Sequence, residues 1–183
     1  MMKELHVTLT GHRPSKLGGY NLNTEAYTKL KEDLKQYLRF QLKTNDVVVG
    51  HTGMALGADT IWGLALLETK QQFPSRIKIH AEIPFLEQPN AWYNNVDKNR
   101  WNQIREAADA ESIYEPNFAQ LMAEKGNKIA GKILNDRNIG MVDHADILLA
   151  IHDGSKSGTK NAIDYAKSKN KPIVNIDPKK YFK

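Results

Sequence analysis

Residues 153–159 read Asp-Gly-Ser-Lys-Ser-Gly-Thr and lie between an apolar run, residues 146–151, and a helix-like run, residues 159–169. A strand that ends in a glycine- and serine-rich turn at a helix start leaves backbone N–H groups free. Those groups, with the helix dipole behind them, suit a phosphate or another anion. The stretch predicts an anion-binding turn, whose candidate ligand-binding residues are Gly154, Ser155, Ser157, Gly158 and Thr159.

Short apolar runs alternate with longer helical patterns along the chain, and strands separated by helices imply parallel pairing. We therefore predict a Rossmann-like α/β fold with an open, mostly parallel sheet and helices on both faces, as one domain over residues 1–183. The predicted strands are 5–10, 46–49, 76–83, 112–114, 146–151 and 172–176. The first predicted helix starts at Asn23 or Thr24. Further helices are predicted over 58–69, 92–108, 118–141 (bent at Gly126 or Gly131) and 159–169.

Two further turns follow predicted strands, and ligands bind at the carboxyl ends of strands in such sheets. Residues 10–14 read Thr-Gly-His-Arg-Pro: Gly11 permits a tight turn, His12 can exchange a proton near neutral pH, and Arg13 offers a planar fork for phosphate. A polar turn with a local Arg13 ion pair is the alternative.

The second of these turns, residues 50–59, contains three glycines that allow a ligand to approach the backbone closely. Gly53, Gly57 and Asp59 are its candidate site residues. Asp59 either hydrogen-bonds a ligand or only stabilises the start of its helix. The turn has neither the dinucleotide fingerprint nor the P-loop pattern.

A polar triplet, Asp136-Arg137-Asn138, precedes the strand predicted at 146–151, and from it Arg137 can reach the same edge of the sheet. A solvated helix face is an equal alternative for this triplet. The six histidines have no short-range pairing such as H-x-x-x-H, so no metal site is predicted, and no cofactor is expected. His144 and His152 are interpreted as surface or structural residues.

The composition is that of an ordinary globular protein, with 40% hydrophobic and 26% charged residues and a net charge of +5. Residues 156–183 hold eight Lys and two Asp, which leaves 18 basic and 19 acidic residues elsewhere. We interpret this Lys-rich C-terminal end as a solvated helix face and a frayed tail, with a surface for nucleic acid as the alternative. The absence of cysteine excludes disulfides and fits a cytoplasmic protein.

Several motifs in order resemble one family over residues 5–176. They are T-G-H-R-P (10–14), G-M-A-L-G-A-D (53–59), P-F-L-E-Q (84–88) with a nearby Trp, D-R-N (136–138) and D-G-x-x-x-G-T (153–159). Together they resemble the YpsA-like branch of the SLOG superfamily, which includes Smf/DprA and the LOG phosphoribohydrolases. The resemblance implies a Rossmann-like sheet that binds nucleotides or nucleotide-derived ligands through these turns and Arg137.

One departure bears on catalysis. LOG enzymes carry P-G-G-x-G-T-x-x-E, and aligning Gly158 and Thr159 with its G-T places Ala162 where the glutamate belongs. The resemblance therefore favours a nucleotide-binding sensor or sequestering protein with no assigned catalytic residue. An N-glycosidic-bond hydrolase or transferase and a DprA-like single-stranded DNA-binding protein are the alternatives. We also expect a homo-oligomer and no membrane association.

Overall fold

The structure, a computed structural model that describes residues 2–183, is built around one six-stranded sheet. All five strand pairings are parallel, which confirms the predicted Rossmann-like α/β class. The strands are β1 (Glu4–Gly11), β2 (Val47–Thr52), β3 (Ile77–Ile83), β4 (Ala110–Ile113), β5 (Ile147–Ile151) and β6 (Ile173–Ile176). Their order in the sheet is β4-β3-β2-β1-β5-β6.

Helices cover both faces of the sheet. They are α1 (Glu25–Gln41), α2 (Ala58–Gln72), α3 (Asn95–Glu106), α4 (Phe118–Lys125), α5 (Lys128–His144) and α6 (Gly158–Ser168). The main apolar core lies between the sheet and α1, α2 and α3, while a smaller one lies between β5 and α6. Helix α5 packs beside α6, and α4 packs against α5.

Strand β1 shows why the two faces of the sheet differ. Val7 and Leu9 are fully buried in the core under α1 and α2. Because side chains alternate along a strand, Thr8 and Thr10 lie on the opposite face, toward α5 and α6. In β1 the apolar side chains thus face α1 and α2, and the polar side chains face α5 and α6.

Helix α1 begins where the sequence predicts. The side chain of Thr24, rather than that of Asn23, caps it by accepting a hydrogen bond from the backbone N–H of Tyr27. One stripe of α1 is buried because its apolar residues recur at helical spacing: Tyr27, Leu30, Leu34 and Leu38.

Three predicted segments differ in the structure. The helix expected over 118–141 is two helices, α4 and α5, which separate at Gly126, where φ is +72°. The helix expected from Trp92 starts only at Asn95, because Asn94 caps it. The C-terminal end is not frayed: the Phe182 ring packs 4.7 Å from that of Tyr27, and the Tyr181 hydroxyl lies 2.7 Å from the Asp33 carboxylate.

Strands β1 and β5 are neighbours in the sheet, but the chain leaves them toward opposite faces. After β1 it enters α1, and after β5 it enters α6. A crevice opens at such a switch point beyond the carboxyl ends of the two strands. Among residues 2–183, the helices are each too short or too polar to cross a membrane.

Candidate functional site

A cavity of about 460 Å³ occupies this crevice. Four parts of the chain form it: the end of β1 with its loop, the start of α2, the middle of α5 and the start of α6. Its walls are polar, and side chains of both charges reach it. The lining residues are Thr10, Gly11, His12, Arg13, Ser15, Lys16, Ala55, Asp59, Gly131, Leu134, Asn135, Arg137, Asn138, Lys156, Ser157, Gly158, Thr159 and Asn161.

The start of α6 forms one wall. Ser157 is the N-cap residue, and its hydroxyl accepts a hydrogen bond of 3.2 Å from the backbone N–H of Lys160. The N–H groups of Gly158 and Thr159 have no partner within the helix because they belong to its first turn. With the positive end of the helix dipole, they give the cavity an anion-binding wall.

The loop after β1 forms the opposite wall. Gly11 lies against Ala58 of α2, and a side chain at Gly11 has no space because its Cβ would overlap that of Ala58. This close approach brings the next residues over the crevice. Arg13 is exposed and lines the cavity, and Lys16 lines it while its Nζ donates a hydrogen bond of 2.8 Å to the Ser155 hydroxyl.

His12 ties the two loops together. Its buried Nε2 lies 2.7 Å from Oδ1 of Asp153, and the same oxygen accepts a hydrogen bond of 2.9 Å from the Ser155 N–H. The hydrogen bonds from Ser155 and His12 lower the pKa of Asp153, so this carboxylate is ionised at neutral pH. The sequence suggested that His12 exchanges a proton with a ligand. In the structure its Nε2 contacts Asp153 instead, and this contact fixes the spacing between the β1 and β5 loops.

A buried charged pair closes the floor of the cavity. The guanidinium of Arg137 lies 3.8 Å from the Asp59 carboxylate and also donates a hydrogen bond to the carbonyl of Gly53. Burial raises the pKa of Asp59, and the positive charges of Arg137 and Arg13 oppose that rise. A Cβ on Gly53 would lie 2.6 Å from Asp59 Oδ2, so the pair is built around the missing side chain.

The structure brings together most residues singled out from the sequence. Gly11, His12, Arg13, Asp59, Arg137, Ser157, Gly158 and Thr159 all line the cavity. Gly53 lies behind Arg137, and Gly57, with φ +96°, faces the carbonyl of His12. Gly154 is exposed and Ser155 is half-buried in the β5 loop, and neither lines the cavity.

The sequence reasoning missed two lysines, Lys16 and Lys156, and the α5 residue Asn135. Lys156 lies within the motif at 153–159 and Lys16 lies two residues after the motif at 10–14, so their positions were the available signal. The D-R-N triplet is divided between two roles. Arg137 and Asn138 face the cavity, while Asp136 is partnered by Lys132 on the outside of α5 at 2.6 Å.

An aromatic groove adjoins the cavity. It measures about 670 Å³ and shares Arg13 with the cavity, so the two spaces are neighbours. Trp92 is half-buried in the groove, while Trp101 is buried in the core, where its indole N–H donates a hydrogen bond to Gln88. The groove is lined by Arg13, Pro14, Tyr20, Leu56, Ala91, Trp92, Tyr93, Asn94 and Asp97.

Parallel strand order, helices on both faces and glycine turns around a cavity at the switch point define the Rossmann-like class of α/β proteins. The YpsA family model, described as the YspA SLOG family, matches residues 7–181. The chain belongs to this SLOG family, as the ordered motifs predicted. The SPbeta prophage-derived protein YoqJ of Bacillus subtilis (strain 168) is 30% identical over 143 residues, which cover 76% of this chain and 81% of YoqJ.

Two solved structures of DNA processing protein A (DprA) share the fold. The Streptococcus pneumoniae protein has a TM-score of 0.60 at 17% identity, and the match covers 96% of this chain and 53% of that one. The Helicobacter pylori protein, whose structure describes a single-stranded DNA binding mode, has a TM-score of 0.53 at 19% identity. That match covers 96% of this chain and 66% of the other, so the chain spans about half to two thirds of these proteins.

Proposed function

We propose that the protein binds a nucleotide or nucleotide-derived small molecule, as a sensor or as a sequestering protein for a signalling nucleotide. The observation that carries the proposal is the convergence of the α6 N-terminus and four cationic side chains on one cavity. Those cations are Arg13, Lys16, Arg137 and Lys156.

The charge of the cavity supports an anionic ligand. Among its described lining residues, Asp59 is the acidic one, and Arg137 lies beside it. Arg13, Lys16 and Lys156 therefore remain to bind phosphate oxygens, alongside the N–H groups of Gly158 and Thr159. Hydrogen bonds to phosphate from such charged donors are the stronger kind.

The aromatic groove supports a ligand with a base. Because Arg13 lines both spaces, a molecule whose phosphate lies against α6 can extend past Arg13 toward Trp92 and Tyr93. Tyr93 is fully exposed in the free protein, and aromatic faces of this kind stack on nucleobases. The two spaces together suit a phosphate, a sugar and a base in sequence.

Binding without turnover is favoured by the environment of Ala162. This residue is 3% exposed and packs in the small core between α6 and β5. The position at which LOG enzymes carry their glutamate is thus an apolar contact here. A protein that only holds its ligand needs affinity and no acid at that place.

Isothermal titration calorimetry with mono-, di-, cyclic and ADP-ribose-type nucleotides tests the proposal. We expect saturable heat with at least one of them, and a loss of affinity of roughly tenfold or more in Arg13→Ala or Lys156→Ala. Lys43→Ala is the matched control, since this exposed lysine follows α1 away from the cavity. No heat at millimolar ligand, or equal loss in the control, contradicts the proposal.

A second candidate function is cleavage or transfer at a nucleotide N-glycosidic bond. Asp59 favours it, since this carboxyl lines the cavity in which an acid or base would have to act. Chromatography of nucleotides incubated with the protein tests this candidate. Free base formed by the wild type and not by Asp59→Asn supports it, and intact nucleotides after long incubation exclude it.

Single-stranded DNA binding is a third candidate, favoured by the exposed aromatic side chains beside Arg13 and by the DprA likeness in fold. Stacking on Tyr20 and Tyr93 with phosphates near Arg13 is the mode that this surface suits. A gel shift that weakens with salt and is lost in Tyr93→Ala supports it. Unshifted DNA at low salt argues against it.

A homo-oligomer remains part of the proposal. A groove of about 630 Å³ between α1 and β6 exposes Phe40, 61% accessible, and Val174, 41% accessible. Such an apolar surface suits a second copy of the chain. Sedimentation equilibrium of the wild type and Phe40→Asp tests it: we expect a dimer that the variant dissociates, and a monomeric wild type contradicts it.

A further inference from the structure

Four of the six histidines lie together on the α5 face of the sheet, although they are far apart in sequence. His6, His51 and His80 come from three neighbouring strands, and His144 is the last residue of α5. Their rings lie 4.8–5.8 Å from one another in successive pairs. None of these residues lines the nucleotide cavity described above.

Glu82 lies at the centre of this histidine cluster and is completely buried. One of its oxygens, Oε1, lies 2.8 Å from Nδ1 of His51 and 2.7 Å from Nδ1 of His144. The three ligand-type atoms all lie within 4.8 Å of one another. Two imidazoles and a carboxylate therefore converge on one point.

We propose that His51, Glu82 and His144 form a binding site for a divalent transition metal ion, with Zn²⁺ as the ion that fits best. Two imidazole nitrogens and one carboxylate oxygen are a ligand set that tetrahedral zinc accepts, with a fourth position left for water or another side chain. Hard cations such as Mg²⁺ prefer oxygen ligands throughout.

The groups behind the ligands are arranged as a metal site requires. Nε2 of His51 lies 2.9 Å from Nδ1 of His6, and Nε2 of His6 lies 2.9 Å from the Glu4 carboxylate. With a metal on Nδ1 of His51, its Nε2–H donates to His6, and His6 in turn donates to Glu4. Such outer hydrogen bonds fix the tautomer and orientation of a metal-ligating histidine.

The carboxylate is held in the same way. The Tyr114 hydroxyl donates a hydrogen bond of 2.9 Å to Oε2 of Glu82, which leaves Oε1 for the metal. His80 lies beside the site, with its Nε2 4.0 Å from Oε1 of Glu82 and 2.8 Å from the Ser112 hydroxyl. His51 and Glu82 thus each have a hydrogen-bond partner that orients them.

A metal ion has an entry route through His144. The side chain of this residue is 45% exposed, whereas those of His51 and Glu82 are buried. Ligand atoms about 2.1 Å from a tetrahedral zinc lie roughly 3.4 Å apart, so the nitrogens must move outward by roughly 0.6 Å. His144 ends its helix and has space for this movement.

Zinc titration of chelator-treated protein, in competition with a chromophoric zinc indicator, tests the proposal. We expect one tight site per chain, weakened by about 100-fold or more in His144→Ala and by about 10- to 100-fold in His6→Ala, which keeps all three ligands. Co²⁺ bound at the same site is expected to give the strong visible absorption of tetrahedral coordination. Circular dichroism of each variant checks that it is folded.

Two control variants make the result decisive. His152→Ala removes a histidine from the other group of possible ligands, His12, His152 and Asp153, and is expected to leave zinc affinity unchanged. Glu82→Gln removes the central ligand charge, but its buried position makes folding a risk, so the exposed His144 is the primary variant. Equal zinc affinity in wild type and His144→Ala, or loss of the site in His152→Ala, overturns the proposal.

Discussion

The guanidinium of Arg137 lies 3.8 Å from the carboxylate of Asp59, and the two side chains are 4% and 9% exposed. The pair joins the middle of α5 to the first turn of α2, across the floor of the cavity. Removing one partner of a buried pair leaves the other charge without compensation, which is costly. The stability of the whole fold is therefore tied to its candidate ligand site.

We expect Arg137→Met to lower the free energy of unfolding by about 3–5 kcal/mol, because Asp59 is left buried without its cation. Urea denaturation followed by circular dichroism measures this change. The double variant Arg137→Met/Asp59→Asn is expected to recover part of the loss, which identifies the charge as its cause. A single variant within about 1 kcal/mol of the wild type contradicts the prediction.

Gly53→Ala is expected to destabilise the protein by about 1–3 kcal/mol, because its Cβ would overlap the guanidinium of Arg137 and lie 2.6 Å from Asp59 Oδ2. Gly131→Ala is the matched control, since its Cβ meets nothing within 4 Å and the residue lies inside α5. There we expect a gain of about 0.5–1 kcal/mol. Thermal unfolding of both variants should give shifts of opposite sign, and shifts of the same sign count against this account.

Ser157→Ala removes the hydroxyl that caps α6 and is expected to cost about 1 kcal/mol. For a chain of this size that is a fall in Tm of about 2–4 °C. Ser157→Gly is the comparison, since glycine at an N-cap costs only a few tenths of a kcal/mol relative to serine. Equal melting temperatures for the two variants mean that the cap is not the source of the effect.

The raised pKa of Tyr27 predicts that the protein loses stability at alkaline pH. Burial raises the pKa of its hydroxyl, which donates a hydrogen bond to the carbonyl of Gly19, from 10.0 to about 12. Because the folded state holds this proton more tightly, the protonated Tyr27 hydroxyl stabilises it. This stabilisation is complete below the unfolded-state pKa of 10.0 and is lost as the pH rises through about 12. The free energy of unfolding, measured with urea between about pH 9 and pH 12, should therefore fall less steeply with pH in Tyr27→Phe than in the wild type.

The same variant has a second expected effect at neutral pH. Loss of the hydrogen bond to Gly19 should cost about 1 kcal/mol there, where the hydroxyl is protonated in both states. Some alkaline slope remains in the variant, since burial also raises the pKa values of Tyr37 and Tyr181. Identical slopes for variant and wild type refute the assignment to Tyr27.

The fold was predictable because its signals are local. Apolar runs alternate with helical periods, and Thr24 and Gly126 mark a helix start and a helix end that lie within a few residues of their signals. The cavity was predictable for a related reason, since residues that follow parallel strands meet at one edge of the sheet. Local signals did not predict Lys16 as a cavity residue. No spacing rule relates it to Ser155, its hydrogen-bond partner 139 residues away.

The histidine cluster shows the limit of spacing as a guide. The expectation of no metal site rested on the lack of paired histidines and stays a prediction. The proposed site would instead join His51 and His144, which lie 31 and 62 residues from Glu82 and both contact it. The alternation of side chains along β3 indicates part of this cluster from the sequence alone. Ile79, Ala81 and Ile83 face the apolar core, so His80 and Glu82 must share the opposite face of β3.

The pairing of β1 with β5 has a consequence for synthesis on the ribosome. Val7 pairs with Ile147, so one side of β1 has no partner until most of the chain has been translated. Until then β1 is an open sheet edge, of the kind that invites wrong pairing with other chains. Pairing with β5 removes that open edge, and α5 and α6, which flank β5 in the chain, complete the candidate cavity at the same stage of synthesis.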